Sequence, residues 1–247
     1  EGGCTNEFAS NYNSNANYND GSCEFNWDEI CTGCTPSIIS LNDVPDDQGS
    51  WARLNFLGSI GMFVSPSQQD TFYAGGTYTI LREFEETRAW EIIGSFSSLG
   101  DSSYTYLAPT LGNATPTDTV LTTFKVGFTP LLDSMNPTFY SDSFSGYSID
   151  NIDPAVPGNF FIDLPLGSTY PMELAWSNPV DIDFGYFTIT RNEEILGFST
   201  ESRFDDIGPL IGNSLIYSIS STDANGNQSQ QSAEIMFEKA DINYDQI

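Results

Sequence analysis

The chain has no histidine. That removes the commonest general base and the commonest transition-metal ligand, so neither a Ser-His-Asp nor a Cys-His mechanism can be assembled from it. Basic residues are almost as scarce. Seven Lys and Arg stand against 34 Asp and Glu, a formal net charge of −27. Such a field repels nucleic acid and anionic membranes. It also works against compactness unless salt or bound cations screen it, which suits a saline or calcium-containing exterior. A surface kept soluble by charge explains the same balance. No run of 18 apolar residues is present, so no membrane-spanning helix is expected. No secretory leader is visible, and one is expected to have been removed or not included.

Cysteine is rare and confined to one end. Cys4, Cys23, Cys31 and Cys34 all fall in the first 34 residues. An even count in a small polar segment reads as a disulfide staple and an oxidising compartment. Three pairings are open, and Cys4–Cys23 with Cys31–Cys34 is favoured. The rival is a four-thiolate zinc site, which usually needs two close pairs where only Cys31–Cys34 is close. Cys31-Thr32-Gly33-Cys34-Thr35-Pro36 does not open a helix after a strand, so it lacks the context of a redox motif.

What is abundant favours strands. Hydrophobic residues make up 39% and aromatics 14% of the chain, including 18 Phe and 12 Tyr, which is enough to build packed cores. Residues 1–35 are Asn-rich and too poor in aliphatics to bury a core alone. Residues 36–150 read as one β-domain of about seven short strands. Trp51, Leu54 and Phe56 lie in one strand, and Trp90 to Phe96, Tyr104 to Leu107 and Leu121 to Phe128 form others. Residues 151–247 repeat the plan through Leu174-Ala175-Trp176, Tyr186 to Arg191, Ile195 to Phe198 and Leu215 to Ile219, and end in a polar tail. The fold class is therefore all-β, two sandwiches behind a small disulfide-stapled segment.

Trp176 followed by Pro179, then Tyr186, Phe187 and Ile189, then Tyr217, resemble the core pattern of fibronectin type III domains. Asp223 followed by Gly226-Asn227-Gln228-Ser229 is similar to the bacterial form of that family. Asn42 to Gly49 and Ser145 to Asn151 resemble the start and end of fibronectin-like domains in bacterial surface proteins, which makes 36–150 a diverged relative. Gly3-Cys4-Thr5-Asn6, Ala9-Ser10-Asn11-Tyr12, Ala16 and Asn19-Asp20-Gly21-Ser22-Cys23 resemble a short repeat of secreted and surface proteins from marine Bacteroidota. Asn stands at positions 6 and 19, where that repeat usually has Asp.

Several residues are candidates for chemistry. Asn11, Asn13, Asn15 and Asp20 offer oxygens for calcium in a loop closed by Cys4–Cys23, although an Asn-rich hydrogen-bonded turn would look the same. Asp181 with Asp183, and Asp150 with Asp153, are weaker candidates beside the reading of solvated loop acids. Glu85–Glu86, Glu193–Glu194 and Asp205–Asp206 are adjacent pairs, but neighbours on a strand face opposite ways, which argues against a glycosidase site. Trp51, Trp90, Tyr104 and Tyr106 could stack on sugars if exposed, and core packing is the expectation. Trp27 cannot bury itself in the thin N-terminal segment and is expected to pack on the next domain or a neighbouring molecule. Asn113-Ala114-Thr115 and Asn227-Gln228-Ser229 fit the eukaryotic glycosylation pattern. The bacterial resemblance implies instead glycans on Thr119 and Ser134, each preceded by Asp.

The expected function is a non-catalytic extracellular or cell-surface protein with a structural or adhesive role. It would self-associate, in one version as the subunit of a fibre, or contact neighbouring surface proteins. It needs no cofactor beyond possible calcium, and neither nucleic acid nor membrane insertion is expected. The alternative is a carbohydrate-binding accessory region of a secreted hydrolase, with a polysaccharide partner.

Overall fold

A computed structural model describes residues 1–64, 71–73, 75–84, 86–131, 137–163, 171–208 and 214–237. Ser134, Glu85 and the tail 241–247 lie outside the described residues. The chain forms two compact units. Unit 1 comprises Glu1–Pro45, Gly49–Ala114 and Asp118–Ile149, and unit 2 comprises Asp46–Gln48, Thr115–Thr117 and Asp150–Ile247.

The N-terminal segment belongs to unit 1. Strand β1 (Gly2–Gly3) pairs in parallel with β2 (Tyr18–Asn19), and a Cys4–Cys23 disulfide closes the loop. One helical turn, α1 (Trp27–Ile30), leads into β3 (Cys31–Thr32). Cys31 is bonded to Cys34. Both pairs are disulfides, so the four-thiolate site is excluded. Trp27 stacks on Phe25 and meets the edge of Phe139 at 6.1 Å. It therefore packs on the sandwich that follows it, as its own thin surroundings require.

In that sandwich β4 (Ser37–Asp43), β5 (Trp51–Leu57), β6 (Met62–Val64), β7 (Thr71–Tyr73), β8 (Gly76–Glu83), β9 (Trp90–Ser97) and β10 (Ser103–Pro109) are followed by β11 (Asn113–Ala114), β12 (Thr122–Pro130), β13 (Phe139–Tyr140), β14 (Phe144–Gly146) and β15 (Ser148–Ile149). One sheet runs β10-β5-β4. The other runs β13-β12-β8-β9, with β14 also on β12. The hairpin β6–β7 joins β3 in a small separate sheet and is an insertion between the second and third sandwich strands.

Unit 2 contains β16 (Gly158–Asp163), β17 (Met172–Ser177), β18 (Phe184–Arg191), β19 (Glu194–Ser199), β20 (Arg203–Asp206), β21 (Leu215–Asp223) and β22 (Ile235–Phe237). Its sheets run β16-β17-β20 and β19-β18-β21-β22. In both units the first, second and fifth sandwich strands make one sheet. The third, fourth, sixth and seventh make the other. Both are immunoglobulin-like sandwiches of fibronectin type III-like plan.

Period-two patterning explains the cores. In β5, Ala52, Leu54 and Phe56 are fully buried while Trp51, Arg53 and Leu57 face out. Phe56, Tyr78, Phe96 and Tyr104 form one aromatic cluster, with the Tyr78 and Tyr104 centroids 4.8 Å apart. In unit 2 Trp176, Phe187, Ile189, Tyr217 and Ile219 form the core. Each such large side chain contributes about 1.5–3 kcal/mol on burial. Trp51 departs from the expectation of core packing: it is 43% exposed, because Leu54 and Phe56 already hold the inward face of its strand. The β18–β19 hairpin turns on Asn192 and Glu193, whose φ values of 53° and 68° give the double left-handed turn that matches strand twist.

Candidate metal centre

Asp150, Asp183 and Asp223, all in unit 2, converge with their carboxylate oxygens within 4.8 Å of one another. Asp150 is 2% and Asp223 4% exposed, and Asp183 is half-buried. Asp183 lies in the turn before β18, and its carbonyl accepts the Ala224 N–H at 2.8 Å. Asp223 ends β21. Its Oδ1 accepts the N–H groups of Asn225, Gly226 and Asn227 at 2.8, 2.7 and 2.9 Å. That tight wrap requires the left-handed φ of +97° at Gly226.

Two amides tie the carboxylates together. Asn225 Nδ2 donates to Asp150 Oδ2 at 2.7 Å. Asn227 Nδ2 donates to Asp223 Oδ2 at 2.9 Å and to the Asp150 carbonyl at 3.1 Å. Ile152 N–H donates to Asp150 Oδ1 at 3.1 Å. Burial pushes the Asp150 carboxyl upward, and Asp183 and Asp223 add to it. The Ile152 and Asn225 donors pull the other way, and the net result lies above the ordinary carboxylate range.

No cation among the described residues is paired with this charge. The ion pairs among the described residues are Arg82–Glu91, Arg88–Glu83, Arg191–Asp206 and Arg203–Glu201, and none includes the three aspartates. Clustered buried carboxylates are costly unless a proton or a cation neutralises them. The side-chain donors are all oxygen, which suits a hard divalent ion rather than zinc or copper. Calcium takes about six to eight oxygens. The three carboxylates offer one convergent oxygen each, and backbone carbonyls or water would complete the set.

The N-terminal candidates are engaged differently. Asn11 Nδ2 donates to the Ser22 carbonyl at 2.5 Å, and Asn11 Oδ1 accepts the Glu24 N–H at 2.9 Å. Asn13 Oδ1 accepts the Asn15 N–H, and Asp20 Oδ1 accepts the Ser22 N–H. Their oxygens thus cap turns of the Cys4–Cys23 loop. Of the paired loop acids, Asp181 binds the Ala155 N–H at 2.8 Å. Asp150 and Asp183 come together, each without its sequence partner. Asp206 is buried while Asp205 is exposed, as strand alternation requires. Thr119 is exposed, in the loop between β11 and β12.

Trp90 is half-buried with Lys125 Nζ 4.2 Å from its ring centroid. Tyr104 and Tyr106 pack against the core of unit 1. Sequence reading did not place Asp223 in this cluster. Its signal was the run Asp223-Ala224-Asn225-Gly226-Asn227, which reads first as a turn.

No protein-family model matches the chain, and no curated protein matches it. Among solved structures it is similar to the Clostridium perfringens spore cortex lytic enzyme SleM, at 16% identity over 44% of this chain and 36% of that one, with a TM-score of 0.33. It is also similar to the chicken CNTN1 FN1–FN3 domains, at 11% identity over 83% of this chain and 67% of that one, with a TM-score of 0.32. The chain thus spans about a third of SleM and two thirds of the CNTN1 segment. The fold assignment rests on the strand order of each unit.

Proposed function

We propose that this chain is a non-catalytic extracellular protein of structural or adhesive role, and that Asp150, Asp183 and Asp223 bind calcium in that setting. The observation that supports it best is the repetition of one seven-strand plan, each copy closed over its own aromatic core, Phe56, Tyr78, Phe124 and Phe128 in unit 1 and Trp176, Phe187 and Tyr217 in unit 2. The two disulfides suit an oxidising exterior. No helix among the described residues is long and apolar enough to cross a membrane.

Self-association is part of the proposal, with contact to neighbouring surface proteins as its wider form. Unit 2 exposes an edge-to-face pair, Tyr186 and Phe198, with centroids 5.5 Å apart. Phe198 is 61% and the nearby Ile195 63% exposed. Apolar side chains grouped this way mark contact surfaces, and a contact between unlike faces grows into a filament when it does not close. Negative-stain images of the full chain at high concentration, with and without calcium, test this. Filaments that disappear in Phe198→Glu are the expected result. Dispersed monomers under every condition would remove the fibre reading.

A further inference from the structure

The outward face of the sheet β10-β5-β4 in unit 1 is poor in acid for so acidic a chain. The chain carries 34 acidic residues, yet the three strands contain one, Asp43, which lies opposite the buried Ala52 and accepts the Ile149 N–H at 2.7 Å. The outward positions therefore carry no carboxylate. They do carry Arg53, which is exposed and makes no ion pair among the described residues.

Around Arg53 the face combines flat apolar surface with fixed polar groups. Trp51 is 43% exposed opposite Pro109, and Leu107, opposite Arg53, is 51% exposed. A row of hydrogen bonds crosses the three strands. Thr105 Oγ1 donates to Asn55 Oδ1 at 2.6 Å, Asn55 Nδ2 donates to Ser40 Oγ at 3.0 Å, and Asn42 Nδ2 donates to the same oxygen at 2.9 Å. These bonds hold amide and hydroxyl groups in place before any ligand arrives, which lowers the ordering cost of binding. From Trp51 to Leu57 the strand presents about 20 Å of such surface. At the Leu57 end it meets a cleft of about 670 Å³ lined by Gly58, Gly100 and Tyr104. Asp101 lines this cleft too, so the acid-free surface stops there.

We infer that this face binds an anionic polysaccharide, with a sugar ring stacked on Trp51 and a carboxylate or sulfate paired with Arg53. An aromatic plate suits the apolar face of a pyranose, the amide and hydroxyl row suits its hydroxyls, and a guanidinium suits an oxyanion in a fork geometry. The charge contrast selects the acidic polymer. The chain as a whole carries −27, and a face whose outward positions hold an arginine and no carboxylate is where an acidic polymer meets least repulsion.

The test is affinity electrophoresis of the full chain through gels holding polygalacturonate, dextran sulfate or neutral dextran, beside sedimentation of the free protein. Retardation by at least one acidic polymer and not by dextran is expected, and the two acidic gels separate carboxylate from sulfate. Trp51→Ala should weaken binding about tenfold. Arg53→Ala should remove it from both acidic gels, while Arg203→Ala, a cation in unit 2, leaves it unchanged. Thermal midpoints of the three variants should match the parent, since all three side chains are exposed. The inference is overturned if neither acidic polymer retards the protein, or if Arg203→Ala weakens binding as much as Arg53→Ala. It is also overturned if Trp51→Ala changes only the sedimentation of the free protein, which would make the face a contact between copies.

Discussion

The Tyr217 hydroxyl donates to Asp206 Oδ2 at 2.7 Å, and Arg191 Nη1 reaches the same oxygen at 2.7 Å. This joins the first half of β21 to the end of β20 and places a charged pair at the rim of the unit 2 core. Burial alone would raise the Asp206 carboxyl. The Tyr217 hydroxyl, the Gly208 N–H and the Arg191 guanidinium outweigh it and hold the carboxyl below its ordinary value.

Two consequences can be measured. Tyr217→Phe removes one charge-assisted bond and should cost about 1.5–3 kcal/mol. Asp206→Asn leaves Arg191 without its counter-charge and should cost about 3 kcal/mol or more. A carboxyl held low in the folded state stabilises above its unfolded value, near 4, and loses that contribution as the pH falls through the lower folded value. Urea titrations from pH 7 to pH 2 should therefore show unit 2 weakening on the acid side, with Asp206→Asn flattening the dependence. The alkaline side works through tyrosine. Burial, chiefly, pushes Tyr78 up to about 12 and Tyr217 higher still. Both stay protonated when folded, so stability should decline once the pH passes about 10, where unfolded tyrosine ionises. An unchanged midpoint up to pH 11 would count against this.

Calcium should act on unit 2. At a hundredfold excess over its dissociation constant a single site adds about 2.7 kcal/mol. Differential scanning calorimetry should show one transition moving up with calcium and back with chelator. In the double variant Asp150→Asn, Asp223→Asn that shift should vanish, while the transition of unit 1 stays in place. A shift that survives in the double variant would put the ion elsewhere, and the Cys4–Cys23 loop would be the next place to look.

The Cys4–Cys23 bond closes a loop with a sequence separation of 19. Chain entropy makes such a closure worth about 3 kcal/mol. Replacing both cysteines with serine should release residues 1–24 to rapid amide exchange and leave the core around Phe56 protected. The Cys31–Cys34 bond spans only 3 positions. Its contribution lies more in packing, because both sulfurs sit in a small buried cluster with Ile30. Its double serine variant should loosen the contact of Trp27 with Phe139, read as a change in tryptophan fluorescence.

Of the strands visible in the sequence, β5 alternates cleanly, while β9 and β18 stand out by their density of aromatic and β-branched residues. The ones that escaped carry specific disturbances. β4 has a bulge between Ile38 and Ser40, which leaves Ile39 53% exposed and breaks the period. β20 is Arg203-Phe204-Asp205-Asp206, with a single apolar residue. Trp51 was misplaced although parity settles it: odd positions of β5 face out once Leu54 and Phe56 face in. The aspartate cluster was only half legible. Asp150, Asp183 and Asp223 are scattered over three turns, and only the folded strands bring them within reach.

Trp176 carries a tension of its own. It is 5% exposed and packs edge-on against Phe187 at 5.1 Å, but its buried indole N–H has no acceptor among the described residues. An unsatisfied buried donor costs about 1–3 kcal/mol, set against the large packing contribution of the ring. Trp176→Ala should therefore cost about 3–5 kcal/mol as a cavity opens beside Phe187. Trp176→Phe keeps an aromatic in the same place and deletes the unpaired donor. Its lost volume and its relieved polar group oppose each other, so the expected net change is about 1 kcal/mol or less. Chemical denaturation of the two variants decides this. If Trp176→Phe proves nearly as damaging as Trp176→Ala, the N–H has a partner and the ring is held by more than packing.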